Sequence, residues 1–348
     1  MGVKTVCRRI GWMIVTAAVA VALAVAASRI PPSEWTAFGT RAVETVVGLA
    51  HPQESLQYME QLVRSEATAV PMQNEADASV WETPAVAVPS RGEGGDIRET
   101  VISGTQTDGV SIKNNSGVPV DVPALLSKGV PLTPSEGTQP RVLIVHTHGC
   151  ECYMSYDAGF YNHTDPTRSE DPAENVTAVG EAIAEELRAG GVGVLHDTTL
   201  HDSPEYTGAY NRSEKTVQAY LAAYPSIEVV LDIHRDAMMQ ADGTKLKPTV
   251  TVQGHKAAQV MAVIGGTDTP ERPNPYCEDN LRLALAFHQM MERAYPSIMR
   301  PVYVVDARYN QGLKSGSMLL EIGTDANTLS EAVFSGRLVG KQLANLMT

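Results

Sequence analysis

From Arg141 onward, short runs of consecutive apolar residues alternate with longer segments whose apolar positions recur every three or four residues. "RVLIVHTH", "VGVLHD", "IEVVLDIHRD", "PVYVVD" and "GSMLLEIG" are of the first kind and read as buried strands. Between them, residues 174–189 place Val176, Val179, Ile183 and Leu187 on one helical face, and Gly190-Gly191 ends the helix. "NRSEKTVQAYLAAYP" predicts a helix stopped by Pro225, and "NLRLALAFHQMMERAYP" predicts another. "TVTVQ" and "AAQVMAVIGG" predict further strands, and "VSIKNNSGVPVDVPALL" a short strand, a Pro-bounded loop and one turn of helix. The last helix opens on "TLSE", a capping box from Thr328 to Glu331, and carries Leu329, Val333, Leu338 and Leu343. Strands alternating with helices through short loops predict an α/β fold, with a mainly parallel sheet covered by helices on both faces.

The pattern upstream is different. Residues 10–28, "IGWMIVTAAVAVALAVAAS", carry no charge and are long enough to cross a bilayer as a helix. Lys4, Arg8 and Arg9 precede this run, which predicts an inside N-terminus and an extracytoplasmic remainder. "AVAAS" also fits a signal-peptidase site, but the length of the run favours a retained anchor, and both readings export the rest. Residues 1–9 are then a cytoplasmic tail, and 29–64 form juxtamembrane helices on Val43, Val46, Val47, Leu49, Leu56, Met59, Leu62 and Val63. Residues 65–109, rich in Ala, Pro, Glu, Ser and Gly without periodicity, read as a flexible linker to a folded domain over 110–348.

Composition narrows the partners. A net charge of −13 argues against nucleic acid, which needs a concentrated basic surface. A mean hydropathy of −0.12 excludes a multi-span membrane protein. Cys7 stands on the inner side and Cys150, Cys152 and Cys277 on the outer, so no disulfide framework is indicated.

In open α/β sheets, functional groups collect at the carboxyl ends of the strands. Here "LIVH" delivers His146 and then His148 with Glu151, "VVLDIH" delivers His234, and "MLLE" delivers Glu321. Two histidines and a glutamate are the ligand set of a catalytic zinc site with one position left for water. Glu321 is the candidate general base, since a carboxylate after an apolar run is costly unless paired or working. A lone strand-end histidine is more often a hydrogen-bonded core or rim residue, and His-x-x-Glu alone is a weak motif. The weight comes from three strand ends supplying such groups in a chain with 9 histidines. His146 and His148 both stand as ligand candidates: the His-x-x-Glu spacing favours His148, the strand end favours His146, and alternate extended residues point the same way. Asp232 or Asp236, flanking His234, is a candidate to orient the imidazole through its other nitrogen. Arg235 of "DIHRD" and Arg308, Asn310 and Gln311 of "ARYNQG" are candidates for holding substrate, set against a rim salt bridge and an ordinary loop. Tyr206 and Tyr210 either line a groove or pack on the helix that follows.

Taken together, "VLIVHTHGCECY", "NVTAVGEAIAEELRAGGVGVLHDTTLHD", "VVLDIHRDA" and "YNQGLKSGSMLLEIGTDANTLSEA" resemble the stage II sporulation protein P family over roughly residues 110–346. The resemblance implies a phosphorylase/hydrolase-like α/β fold of the amidase type, a Zn²⁺ cofactor, and cleavage of the N-acetylmuramoyl-L-alanine amide of peptidoglycan. Cutting of peptide cross-links, engulfment during sporulation and sporulation proteins D and M as partners are also implied. On this resemblance, 110–348 is a zinc amidase-like catalytic domain with His146 or His148 and His234 at the metal and Glu321 as the catalytic residue. The third ligand is either Glu151 or an acid near Asp171 or Glu174. Where the family usually reads "HTHTTESY" this chain reads "HTHGCECY", so thiols flank Glu151 and a thiolate ligand joins the alternatives. The competing class is a non-catalytic scaffold that binds glycan without cleaving it.

Overall fold

The predicted apolar runs become strands because their β-branched side chains fill both faces of a sheet. The computed structural model describes residues 87–132, 139–271 and 273–348. The predicted anchor, the juxtamembrane helices and the first part of the linker lie outside the described residues. Among the described residues, no helix is long and apolar enough to cross a membrane.

In chain order the elements are β1 (Gly94–Thr100), β2 (Gln106–Thr107), β3 (Val110–Asn115), α1 (Val122–Ser127), β4 (Pro140–Val145), β5 (Phe160–Asn162), α2 (Val176–Ala189), β6 (Gly193–His196) and α3 (Ala209–Ala223). They continue with β7 (Val229–Asp236), β8 (Lys245–Val252), β9 (His255–Ala258), β10 (Val260–Gly265), α4 (Cys277–Ala294), β11 (Val302–Val305), β12 (Ser317–Thr324) and α5 (Leu329–Met347). An eight-stranded sheet runs β2-β3-β11-β10-β12-β7-β4-β6, and a four-stranded sheet runs β5-β1-β8-β9.

The large sheet is mixed, which corrects the expectation of a mainly parallel one. β6, β4, β7 and β12 are mutually parallel, with α2 and α3 supplying crossovers. β10, however, runs antiparallel to β12, and β11 and β3 follow β10. The cause is local. No helix stands between β7 and β10 to carry the chain back to the start of the sheet, so β10 re-enters it two places from β7 in the opposite sense. Instead β8 and β9 fold back through Gln253-Gly254, both at positive φ (53° and 87°), as a two-residue hairpin.

Helices cover both faces, as expected. Val176, Val179, Ile183 and Leu187 of α2 share one core with Val142 and Ile144 of β4, Leu231 and Ile233 of β7, and residues of α4 and α5. On the other face Val217 of α3 packs on Leu143, Val145 and Val230. α2 and α5 meet along a glycine seam: a Cβ at Gly340 would stand 2.6 Å from the Ile183 carbonyl oxygen. The Thr328–Glu331 capping box forms at the start of α5.

β1 is the main departure from the linker reading. Its segment, "GGDIRET", lacks an apolar face, and the strand is set by pairing with β8 and β5. Order borrowed from partner strands leaves no periodicity to read.

Candidate metal centre

Four strand-end groups meet at one end of the large sheet. Val145 pairs with Asp232 across β4 and β7, and His234 pairs with Glu321 across β7 and β12. Alternation along β7 turns Val230, Asp232 and His234 to the α3 face. Beyond β4 the chain turns over Thr147–Cys150, bringing the Glu151 N–H onto the His148 carbonyl at 3.1 Å and the Glu151 side chain back over the strand ends.

Glu151 bridges two imidazoles. Its Oε1 lies 3.6 Å from His148 Nδ1 and its Oε2 3.4 Å from His234 Nδ1. The Arg235 N–H donates to Oε2 at 3.2 Å. Burial pushes the Glu151 carboxyl up, but hydrogen bonds to His148 and His234 outweigh it and hold the group well below the carboxylate range. One ligand atom from each of His148, Glu151 and His234 falls within 4.8 Å of the others, a spacing that a single cation can bridge. His148 and Glu151 side chains are each 12% exposed, so the group is largely but not wholly shielded from solvent. His234 Nε2 sits 2.9 Å from Asp232 Oδ1, an ion-pair contact on the side of the ring away from Glu151.

Glu321 faces the same side as His234. Its Oε2 is sealed from solvent and unpartnered. Burial pushes its carboxyl up to about 8, with His234 opposing and Glu151 and Asp236 adding to the rise.

His146 does not join the cluster. Strand alternation persists through residue 146 and sends its ring to the α2 face, where Gly180 leaves room for it. There Nδ1 donates to the Ile233 carbonyl at 3.0 Å and Nε2 meets His196 Nε2 at 2.8 Å. The turn begins one residue later, so His148 comes out on the opposite face. The first-helix acids are elsewhere as well. Asp171 accepts from the Ala173 N–H and Glu174 from Ser169, both exposed. The thiols are buried and protonated: burial pushes Cys150 up to about 11 and raises Cys152, whose Sγ donates to the Pro166 carbonyl.

The expected substrate-holding residues have partners within the chain. Arg235 points away from the cluster and ties the backbone, donating to the Cys152 and Thr167 carbonyls at 3.0 and 2.6 Å. Arg308 pairs with Glu214 at 3.7 Å and donates to the Pro273 carbonyl. Asn310 donates to Ser213 and to the Tyr210 carbonyl.

Both tyrosines do flank the site. Tyr206 stacks on His148 with ring centroids 4.5 Å apart, and Tyr210 meets the same ring edge-on at 5.5 Å. Arg168, absent from the sequence reading, lies over Tyr206 at 5.3 Å and pairs with buried Asp202. Its only sequence signal is a basic residue in a polar loop, too common to single it out.

The match to known proteins covers the segment that holds these residues. The family model for stage II sporulation protein P (SpoIIP) matches residues 46–344. Stage II sporulation protein P of Bacillus subtilis (strain 168) is 30% identical over 206 residues, 56% of this chain and 48% of that protein. The chain therefore aligns to about half the length of the curated relative it matches. Among solved structures, the N-acetylmuramyl-L-alanine amidase Ami1 of Mycobacterium smegmatis is 10% identical at a TM-score of 0.35, covering 61% of this chain and 99% of its own. The CwlD amidase of Clostridioides difficile, solved in complex with the GerS lipoprotein, is 15% identical at 0.34, covering 59% and 98%. Likenesses that weak carry no argument. The family match, spanning most of the sequence, does: the chain belongs to the stage II sporulation protein P (SpoIIP) family.

Proposed function

We propose that the chain is a zinc-dependent peptidoglycan hydrolase that cleaves the amide joining N-acetylmuramic acid to L-alanine. The convergence of His148, Glu151 and His234 beside a part-buried Glu321 carries the reading. Two imidazoles and one carboxylate suit zinc and leave a position for water. When bound, zinc supplies a water whose pKa is lowered to about 7. Glu321, pushed up to about 8 while no cation is bound, would be drawn down by a cation beside it and then present a carboxylate able to accept a proton. Its unpartnered Oε2 is the atom that takes the proton from attacking water and passes it to the leaving nitrogen. Glu151 stays ionised and Asp232 orients His234. Tyr206 and Tyr210 pack against His148 and hold its ring in place.

The setting we propose is a single-pass membrane protein anchored by residues 10–28. Its domain faces the extracytoplasmic septal space during sporulation, sporulation proteins D and M are its partners, and peptide cross-links are a second substrate. The test is digestion of purified cell wall by the full-length chain, with mass spectrometry of the soluble products. Stem peptides with a free L-alanine N-terminus should appear, disappear with EDTA and return with zinc. Wall binding without release of such peptides, by a protein free of metal, would sink the proposal.

A further inference from the structure

A line of buried hydroxyls and an amide leads from the Tyr309-Asn310 loop to His234. Asp232, beside that imidazole, accepts twice from one residue: from the Thr147 N–H at 2.8 Å on Oδ1 and from Thr147 Oγ1 at 2.7 Å on Oδ2. Thr147 has one hydroxyl proton, and a carboxylate can only accept, so that proton is committed to Asp232. Ser213 Oγ, 2.8 Å from Thr147 Oγ1, is therefore the donor in their contact. Its alternative acceptor, the Tyr210 carbonyl, is farther at 3.2 Å. With its own proton spent, Ser213 Oγ accepts from Asn310 Nδ2 at 2.8 Å. Thr147 and Ser213 are fully buried, and Asp232 is 8% exposed. Every donor in the line points the same way, from Asn310 through Ser213 and Thr147 to Asp232.

We propose that Thr147, Ser213 and Asn310 are positioning residues, a one-directional hydrogen-bond line that fixes the Asp232 carboxylate and, through it, the orientation of His234 as a metal ligand. Four separate pieces of chain meet in it: the turn after β4, α3, the loop before β12, and β7. The ligand geometry is thus set by packing beyond the ligands. This accounts for Asn310 by a route other than substrate contact. It rests on the metal reading above, and the test keeps the two apart.

The experiment measures Zn²⁺ affinity of the full-length chain by competition with a chromogenic chelator, alongside thermal melts in EDTA. Wild type should bind one Zn²⁺ and His234→Ala should lose it. Thr147→Val should bind about 10- to 100-fold more weakly and Ser213→Ala about 10-fold more weakly, the range found for groups behind metal-ligating histidines. Thr147→Ser, which keeps the hydroxyl, should regain most of the affinity. The metal-free melts of Thr147→Ser and Ser213→Ala should stay close to wild type, separating ligand positioning from folding. Unchanged affinity in Ser213→Ala and Thr147→Val, with His234→Ala defective, overturns the line while leaving the metal site standing. A wild type that binds no Zn²⁺, or a His234→Ala that binds as wild type does, overturns both.

Discussion

The Nε2 atoms of His146 and His196 lie 2.8 Å apart, so one must carry the proton that the other accepts. His146 Nδ1 faces a carbonyl, which can only accept, so His146 Nε2 is the bare nitrogen. At the far end, His196 Nδ1 lies 2.7 Å from Glu181, whose carboxyl is held down to about 2, chiefly by that hydrogen bond. The Glu181 carboxylate can only accept, so His196 Nδ1 donates to it, while His196 Nε2 faces His146. Burial and the charge of His196 keep His146 neutral, down to about 3. Gly180 makes room for the pair. A Cβ there would stand 2.6 Å from His146 Nε2 and 2.7 Å from His196 Nε2. Gly180→Ala should therefore cost about 1–3 kcal/mol by overpacking, exceeding the ~1 kcal/mol that alanine adds within a helix. Urea unfolding at neutral pH checks it, and a raised midpoint would refute the packing.

His288 in α4 predicts an acid-side loss of stability. It is fully buried against Ser111, and burial pushes it down to about 4. Between the ordinary value of 6.5 and that point the unfolded chain binds the extra proton, so stability falls as pH drops through this window. The loss amounts to roughly 3 kcal/mol over the full span. Denaturation midpoints from pH 7 to pH 4 should fall in wild type and fall less in His288→Gln, which has no proton to gain.

Glu321 predicts the opposite slope. With metal removed, its carboxyl is pushed up to about 8, so the folded chain holds a proton that the unfolded chain has released above 4.5. Metal-free wild type should lose stability as pH rises from 4.5 to 8, and Glu321→Gln should not. The same variant should lower turnover about 10²- to 10⁴-fold while keeping one zinc per chain. Loss of the metal instead would make Glu321 a ligand.

A second group of carboxylates, Glu99, Asp157 and Glu331, has ligand-like spacing but a different occupant. Lys247 Nζ stands 2.6 Å from Asp157, 2.7 Å from Glu331 and 3.5 Å from Glu99, with the lysine side chain 2% exposed. Lys247→Met should cost about 3–5 kcal/mol, because Glu331 is left charged, buried and unpaired. Metal analysis of wild type should give one ion per chain; a second ion lost on Glu331→Gln would contradict this assignment.

Much of this was legible in the sequence because the relevant signals are local. Apolar runs gave β4, β7 and β12, and helical spacing gave α2, α4 and α5. Strand ends pointed to His148, Glu151, His234 and Glu321, which the fold brings together. What stayed hidden depends on direction in space. Two-residue alternation suggested that His146 and His148 share a face, and the turn starting at Thr147 breaks it. Strand direction also escaped, since "AAQVMAVIGG" reads alike in either sense and also conceals a change of sheet between Ala258 and Val260. Arg235 looked like a substrate group because arginine beside a ligand often is; its guanidinium instead ties two backbone carbonyls on the opposite face.

The small sheet gives the domain a mechanical asymmetry. β1 is the first strand among the described residues, and it pairs with β8 in parallel over Ile97–Thr100 against Lys245–Pro248. A pull along the chain from before Gly94 loads those rungs in shear, the direction in which a ladder shares force among all its bonds. The metal-centre residues stand on the other sheet or on the turn beside it. Tension from the N-terminal side therefore first loads a ladder that contains none of them.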